Sequence, residues 1–385
     1  MRFDDVAGYD LIKQRLKSLA DTHRLPHAMM ISSSDGAGAL SIALALAQYA
    51  NCTDHHDGEP CGKCSACIKY ELLAHPDLFF LFPIVGGDKK SCDDYLKEWR
   101  ENAQQPYLTR VDWLNAIKAG NSQAMIYSKE NVVLEERMSY KIAEGKYRVL
   151  IIWQPEKMHE ALSNKLLKLI EEPPKDTLII LVSIEPELLL PTIKSRVQEI
   201  ELPLLTEEEV VNALIKLEGD HCDIEKIREA AHLSCGQMRK ALDELNNKGE
   251  REEHWIYFVR MLSFINPPKP LVMRRLAEEF ADLGREYQVS LLKSFASYFR
   301  ELYMYPLGIS QITYLNQREK ELAIQLSGCI NGANIMQISN EIDVAIRHIM
   351  QHVNSKMVFF DLFLRFTNLM ARQFRQKQIN ISLFS

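Results

Sequence analysis

The first stretch with a chemical vocabulary is Met30-Ile-Ser-Ser-Ser-Asp-Gly-Ala-Gly-Ala-Leu-Ser-Ile-Ala43, which follows an apolar run and opens an alanine-rich helix. That is the place of a phosphate-binding loop of the G-x-x-x-x-G-K-[ST] kind. In such a loop glycines let backbone N–H groups close on phosphates, a lysine reaches the β/γ-phosphates and a hydroxyl holds Mg²⁺. Here Gly36 and Gly38 keep the bend, but Ser33 replaces the first glycine, Ala39 stands at the lysine position and Leu40 at the Ser/Thr position. A methyl group neutralises no phosphate, and an isobutyl group binds no metal. The scaffold of a nucleotide site is present without its reactive groups. A second strand, Tyr147-Arg-Val-Leu-Ile-Ile-Trp-Gln-Pro-Glu156, would end in Asp-Glu in an ATPase, the Asp supporting magnesium and the Glu polarising water. Trp153 and Gln154 occupy those places. ATP is therefore not expected to be hydrolysed at this chain's own site.

Four of the eight cysteines are clustered as Cys52-x₈-Cys61-x₂-Cys64-x₂-Cys67. In a reducing compartment this spacing reads as metal rather than disulfide. Four thiolates suit tetrahedral Zn²⁺ in a closed, structural site. His55 and His56 lie in the intervening loop, and either is an alternative ligand to Cys52. Cys92, Cys222, Cys235 and Cys329 are scattered and read as small apolar residues.

The elements that must position these groups alternate between strand and helix. Arg24-Leu-Pro-His-Ala28 leads into a first strand, and apolar runs at 75–82, 147–153, 177–183 and 197–202 read as further strands; 41–50, 129–144 and 160–171 read as helices, the last stopped by Pro173-Pro174. Such alternation implies a parallel α/β sheet. Residues 86–127 carry two helix-like pieces (Tyr95 to Glu101 and Arg110 to Ala119), each with one Trp, and no chemical motif. From Thr206 the pattern is helical only: a small bundle to 248, a charged linker at 246–253, then long apolar helices with a break at Asn266-Pro-Pro-Lys-Pro. Those last helices suit a private core or an oligomer interface equally.

At 385 residues the chain expects two or three domains, and a net charge of −6 argues against a general nucleic-acid coat. No apolar run approaches the ~20 residues of a membrane span, and Met-Arg-Phe-Asp-Asp lacks the apolar core of a signal peptide. A cytoplasmic location without membrane contact is expected.

The chain resembles the clamp-loader AAA+ family. The resemblance is carried by Arg24-Leu-Pro-His-Ala28, the cysteine module, His75-Pro-Asp77, Asn164-Lys-Leu-Leu-Lys-Leu-Ile-Glu-Glu-Pro-Pro174, Leu190-Pro-Thr-Ile-Lys-Ser-Arg196 and Gly236-Gln-Met-Arg-Lys-Ala-Leu242. It covers 1–248 closely and extends more weakly to Asn354 and Asp361-Leu-Phe-Leu-Arg365. It implies a RecA-like AAA+ α/β domain over 1–205, with a zinc module at about 50–70 and an insertion at about 86–127. A helical lid over 206–248 and an all-helical collar over 249–385 would follow. It also implies partners: the other loader subunits (gamma/tau and delta) in a five-subunit ring, the sliding clamp, and primer–template DNA met through the assembled complex. Arg196 falls where the family places an arginine finger acting in trans on a neighbour's γ-phosphate, and Arg239 matches the lid arginine that reads the subunit's own nucleotide. With no ATP expected here, Arg239 is assigned to packing or an interface. Two departures stand out: Val197 replaces the usual cysteine, and 86–127 is longer than usual.

The resemblance thus implies a stator subunit that does not turn over ATP. Two rivals are an ATP-hydrolysing gamma/tau-like motor with a divergent loop and a DNA-reading zinc element. The motor would need a substitute lysine and carboxylates; Lys157 and Glu156 lie just beyond the strand. The zinc element would need basic and aromatic neighbours, and only Lys63, Lys69 and Tyr70 qualify. Arg24 and His75 are expected as exposed loop or turn residues.

Overall fold

A computed structural model describes residues 1–375 except 56–57, 121, 219–222, 247–249, 266–267 and 309–312. His56 and Cys222 therefore lie outside the described residues, as do parts of the linker expected at 246–253 and of the break at Asn266. The chain forms two compact units, Met1–Ala241 and Leu242–Ser385.

Five strands build the sheet of the first unit: β1 (Ala28–Ser32), β2 (Leu78–Leu81), β3 (Arg148–Trp153), β4 (Thr177–Ser183) and β5 (Gln198–Glu201). All pairings are parallel, in the order β2-β3-β4-β1-β5. Every residue of β1, β3 and β4 is buried, as strands covered on both faces require, whereas β5 exposes its glutamates at one edge. β1 lies between β4 and β5, so the loop leaving its carboxyl end opens into the crevice where α/β sheets receive ligands. The expected strands are all present, though the second and fifth are shorter than their apolar runs.

Helix α1 (Asp10–Asp21) precedes β1, and α2 (Ala39–Asn51) follows it with all thirteen residues buried. The many alanines of α2 keep it thin enough for that. Its N-cap is Gly38 at φ 95°, backbone that costs a side-chain-bearing residue. After the cysteine module comes α3 (Ser65–Glu71). The 86–127 segment then folds as a 3₁₀ turn at Cys92–Tyr95, α4 (Leu96–Asn102) and α5 (Arg110–Ala116). Its anchor is aromatic. Trp99 stacks on Phe82 at 4.2 Å, meets Trp113 edge-on at 5.2 Å and packs against Trp153 at 5.4 Å. Such pairs are worth about 0.5–1.5 kcal/mol each beyond the area they bury.

α6 (Glu130–Ser139) packs on α7 (Glu160–Glu171), which starts and stops where the sequence predicts. α6 itself ends five residues before the expected Glu144. The Arg148 guanidinium takes the carbonyls of Met138 and Tyr140. The Asp77 carboxylate then accepts the N–H groups of Ala143, Glu144 and Gly145 at 2.7–2.9 Å. Those bonds turn 140–145 into a loop. His75 also departs from expectation: it is buried, tilted against Tyr70 at 4.7 Å, and its Nδ1 accepts the Asp77 N–H. His75-Pro-Asp77 is thus a folding device. Arg24 is exposed, as expected. The short α8 (Pro191–Lys194) leads to β5, and α9 (Glu207–Glu218), α10 (Ile224–Leu233) and the start of α11 (Met238–Leu245) complete the unit.

The second unit is helical throughout its described residues: α12 (Glu250–Leu262), α13 (Pro270–Asp282), α14 (Arg285–Met304), α15 (Gln317–Gln325), α16 (Ile335–Met350) and α17 (Ser355–Arg375). Phe258, Phe280, Phe295, Phe299, Phe359 and Phe363 meet in one core, so these helices do have a private interior. Met336, Met350 and Met357 remain exposed on α16, its C-terminal end and α17. Among the described residues no helix is long and apolar enough to cross a membrane.

Candidate functional site

The loop between β1 and α2 bends as a phosphate-binding loop does, with Gly36 at φ 72° and Gly38 at φ 95°. Ala39 and Leu40 are buried in the packing. Their side chains face no open site, because the chain itself covers the loop. The hydroxyl of Ser41 donates to the carbonyl of Pro106 at 2.6 Å. The ring of Tyr107 lies against Gly38, and its hydroxyl accepts the Ala7 N–H at 2.8 Å. The N–H of Arg110 donates to both carboxylate oxygens of Asp35, at 3.1 and 3.0 Å. What remains between Ser33–Leu40, Pro106, Leu108, Trp153, Val182 and Ile184 is a cavity of about 10 Å³. That is room for about one water molecule.

The covering segment is the insertion in which no chemical motif was legible. Trp153 roots it, as the floor on which Trp99 packs. Gln154 follows at φ 55°, buried, with neither side-chain polar atom hydrogen-bonded. Lys157 and Glu156 are both engaged beyond the strand end. Lys157 pairs with Glu185 at 3.1 Å, and Glu156 accepts from the Ser183 hydroxyl at 2.8 Å and the Ile184 N–H at 3.3 Å. Burial raises the Glu156 carboxyl above its ordinary range. Burial also pushes Asp35 up to about 6, against the opposing pull of the Arg110 N–H and charge.

Arg239, on α11, reaches the same place. A Cβ on Gly36 would come within 2.8 Å of the Arg239 Cβ and 3.0 Å of Thr109 Cγ2. Its guanidinium holds Asp112 with two nitrogens, each 3.1 Å from a different carboxylate oxygen. Asp112 also closes the capping box of α5, accepting from the N–H and hydroxyl of Thr109. Sequence reasoning missed Asp112 and Asp35. Thr109-x-x-Asp112 is a visible helix-start signal, but nothing local points to an arginine 127 residues further on.

Arg196 follows α8 and stays outside that cluster. Its Nε donates to Glu171 Oε1 at 2.7 Å and its terminal nitrogen to the Thr192 carbonyl at 3.0 Å. With the side chain 40% exposed, this is a hydrated ion pair of the kind worth about 0–1 kcal/mol. The side chain is oriented but weakly held.

The four sulfur atoms of Cys52, Cys61, Cys64 and Cys67 lie within 4.8 Å of one another, Cys61 and Cys67 at 3.9 Å. Tetrahedral zinc with bonds of about 2.3 Å needs sulfurs about 3.8 Å apart, so the quartet fits. Backbone N–H groups point at the sulfurs: Cys61 to Cys52 (3.3 Å), Cys64 to Cys61 (3.3 Å) and Cys67 to Cys64 (3.4 Å). These donors stabilise thiolates. His55 is engaged elsewhere, stacked on Tyr49 at 4.0 Å with its Nε2 at the Tyr49 carbonyl, so Cys52 completes the set. Of the three residues offered for DNA reading, Tyr70 is buried and Lys69 is paired with Glu144, leaving Lys63 exposed. Of the scattered cysteines, Cys92 and Cys329 are buried as small apolar residues should be, and Cys235 is half-buried.

Residues 9–206, just over half of the chain, match the family described as DNA polymerase III, delta subunit. The chain is 29% identical over 203 residues to the DNA polymerase III subunit gamma/tau of Mycobacterium tuberculosis, covering 53% of this chain and 29% of that protein. It is 29% identical over 205 residues to the DNA polymerase III subunit delta' of Bacillus subtilis, covering 53% of this chain and 50% of that one. It thus spans less than a third of the gamma/tau relative and half of the delta' relative. A crystal structure of a DNA polymerase III gamma-subunit-related protein from Thermotoga maritima aligns over 93% of this chain and 99% of its own, at 14% identity and a TM-score of 0.39, too low to bear on the fold. On the match across 9–206, the chain belongs to the DNA polymerase III delta-subunit family.

Proposed function

We propose that the chain is the delta-prime-type stator of a bacterial sliding-clamp loader: an AAA+ subunit that does not hydrolyse ATP and lends Arg196 to a neighbour that does. The observation that carries this reading is the filled loop. Ala39, Leu40, Trp153 and Gln154 remove the lysine, hydroxyl and carboxylates, and Pro106–Arg110 occupy the space in front of the bend. A site lacking both its reactive groups and its volume has no use for nucleotide, whereas a half-exposed, oriented arginine is available to one bound elsewhere. A guanidinium reaching a γ-phosphate in trans stabilises charge that develops during transfer, an effect of about 10³–10⁵ in rate for GTPases.

In this reading residues 1–205 are the AAA+ domain, 206–248 a lid and 249–385 a collar joining a five-subunit ring with gamma/tau and delta subunits. The exposed methionines of α16 and α17 suit such packing. The sliding clamp and primer–template DNA are met through the assembled ring, in the cytoplasm. The cysteine quartet would hold one structural Zn²⁺, tying the end of α2 to the start of α3. Bound there, zinc supplies cross-linking and no open coordination position.

The test is ATP turnover by the cognate motor subunits with clamp and primed DNA, reconstituted with this protein or its Arg196→Ala variant. A fall of at least about tenfold for Arg196→Ala, with the protein alone inert, supports the stator. Unaided hydrolysis would instead mark a gamma/tau-like motor.

A further inference from the structure

The Asp112–Arg239 pair joins three pieces of chain that have no covalent reason to meet: the β1–α2 bend, the inserted segment and helix α11. Arg239 lies over Gly36, closely enough that an added Cβ would strike it. It is the Cβ and Cγ of Arg239 that lie against the bend, and the guanidinium beyond them calls for an oxyanion. No outside anion is needed here. Asp112 presents two oxygens to two guanidinium nitrogens at 3.1 Å each, the fork geometry a phosphate would offer. The insertion is itself fixed to the bend by Arg110 N–H to Asp35 and Ser41 to Pro106. A parallel tie joins Leu205 N–H to the Gly236 carbonyl at 3.1 Å, holding the base of α9 to the turn before α11.

We propose that Asp112 is a built-in substitute for a nucleotide phosphate: by holding Arg239 over the bend, it keeps helices α9–α11 closed on the sheet domain without any nucleotide. A motor subunit's lid would answer to ATP; this one answers to the chain's own carboxylate and stays in one position. The inference rests on the reading of 206–248 as a lid and of the site as silent.

Hydrogen exchange of the full-length, zinc-loaded protein tests it. In wild type, millimolar Mg·ATP leaves exchange over 207–245 unchanged. Asp112→Ala raises exchange there and over 33–41 by about tenfold, as loss of a charge-assisted bidentate pair should, while β3 and β4 keep their protection. The reversal Arg239→Asp does the same, and combining it with Asp112→Arg restores protection to within about threefold of wild type. If Asp112→Ala loosens β3 and β4 as well, Asp112→Asn, which keeps shape and loses charge, decides the matter. Unchanged exchange over 207–245 in that variant, or protection of wild type by Mg·ATP, overturns the proposal. ATP turnover by the same wild-type sample separates the two readings. Hydrolysis sinks the silent site, whereas absence of hydrolysis with an indifferent Asp112 sinks only the clasp.

Discussion

Nε of Arg196 lies 2.7 Å from Oε1 of Glu171, the last residue of α7 and the first of the Glu-Glu-Pro-Pro run. The pair aims the guanidinium without binding it tightly. Glu171→Ala should therefore shift unfolding free energy by less than about 1 kcal/mol. In the reconstituted loader it should lower turnover only a few-fold, far less than Arg196→Ala. Equal losses from the two substitutions would mean that the arginine serves Glu171 and nothing beyond it.

Supplying a lysine and a hydroxyl at the bend should not create a nucleotide site. Ala39→Lys with Leu40→Thr places a lysine and a hydroxyl at buried positions under Pro106 and Tyr107. Titration with a fluorescent ATP analogue is expected to show no saturable binding. Micromolar binding by this double variant would show that the inserted segment swings aside freely.

Removing the aromatic root should loosen the cover. Trp99 is fully buried against Phe82, Trp113 and Trp153, and Trp99→Ala should cost about 3–5 kcal/mol in urea unfolding of the first unit. A loss under about 1 kcal/mol would mean that the cluster contributes area without cohesion.

Metal analysis should find one zinc ion per chain. Cys64→Ser should release it, since a hydroxyl replaces a thiolate that also caps α3. Thermal unfolding of the variant is expected at least about 5 °C below wild type, and a chelator at elevated temperature should bring wild type to the same value. Full zinc content in Cys64→Ser would move the ligand set elsewhere.

Asp35 predicts a pH signature. Burial raises its folded pKa to about 6 from 3.8, with the Arg110 N–H and charge pulling down and Asp112 pushing up. The folded state therefore binds more protons than the unfolded state between those values, so this group's contribution falls as pH rises from about 4 to about 6 and stays low above that. Asp35→Asn should flatten that part of the stability profile and raise stability at pH 7 relative to wild type, offset by the weaker acceptor offered to Arg110. Profiles of the two proteins that run parallel from pH 4 to 7 would remove Asp35 as the titrating group.

Most of the framework was legible because it is periodic or local. The parallel sheet followed from apolar runs alternating with helices, α7 from its apolar pattern and Pro173-Pro174, and the cysteine quartet from spacing alone. The cover over the bend was not, because its bonds run between residues 65, 75 and 127 positions apart. Local patterns cannot register contacts between residues so far apart in the chain. The excess helix at 140–144 and the misplaced His75 share another cause. Both depend on Asp77, a carboxylate organising three backbone N–H groups that the sequence presents only as part of a turn.

Trp153 also bears on what the first unit can tolerate. An aspartate at that position would place a charge beside Trp99 and Val182, a cost of several kcal/mol unless it were neutralised. A small apolar residue there would leave the insertion without its floor. Any single change of this residue thus costs stability, whatever else it brings. The ring serves the sheet and the inserted segment at once, so the position is expected to tolerate substitution less than its neighbours on the same strand.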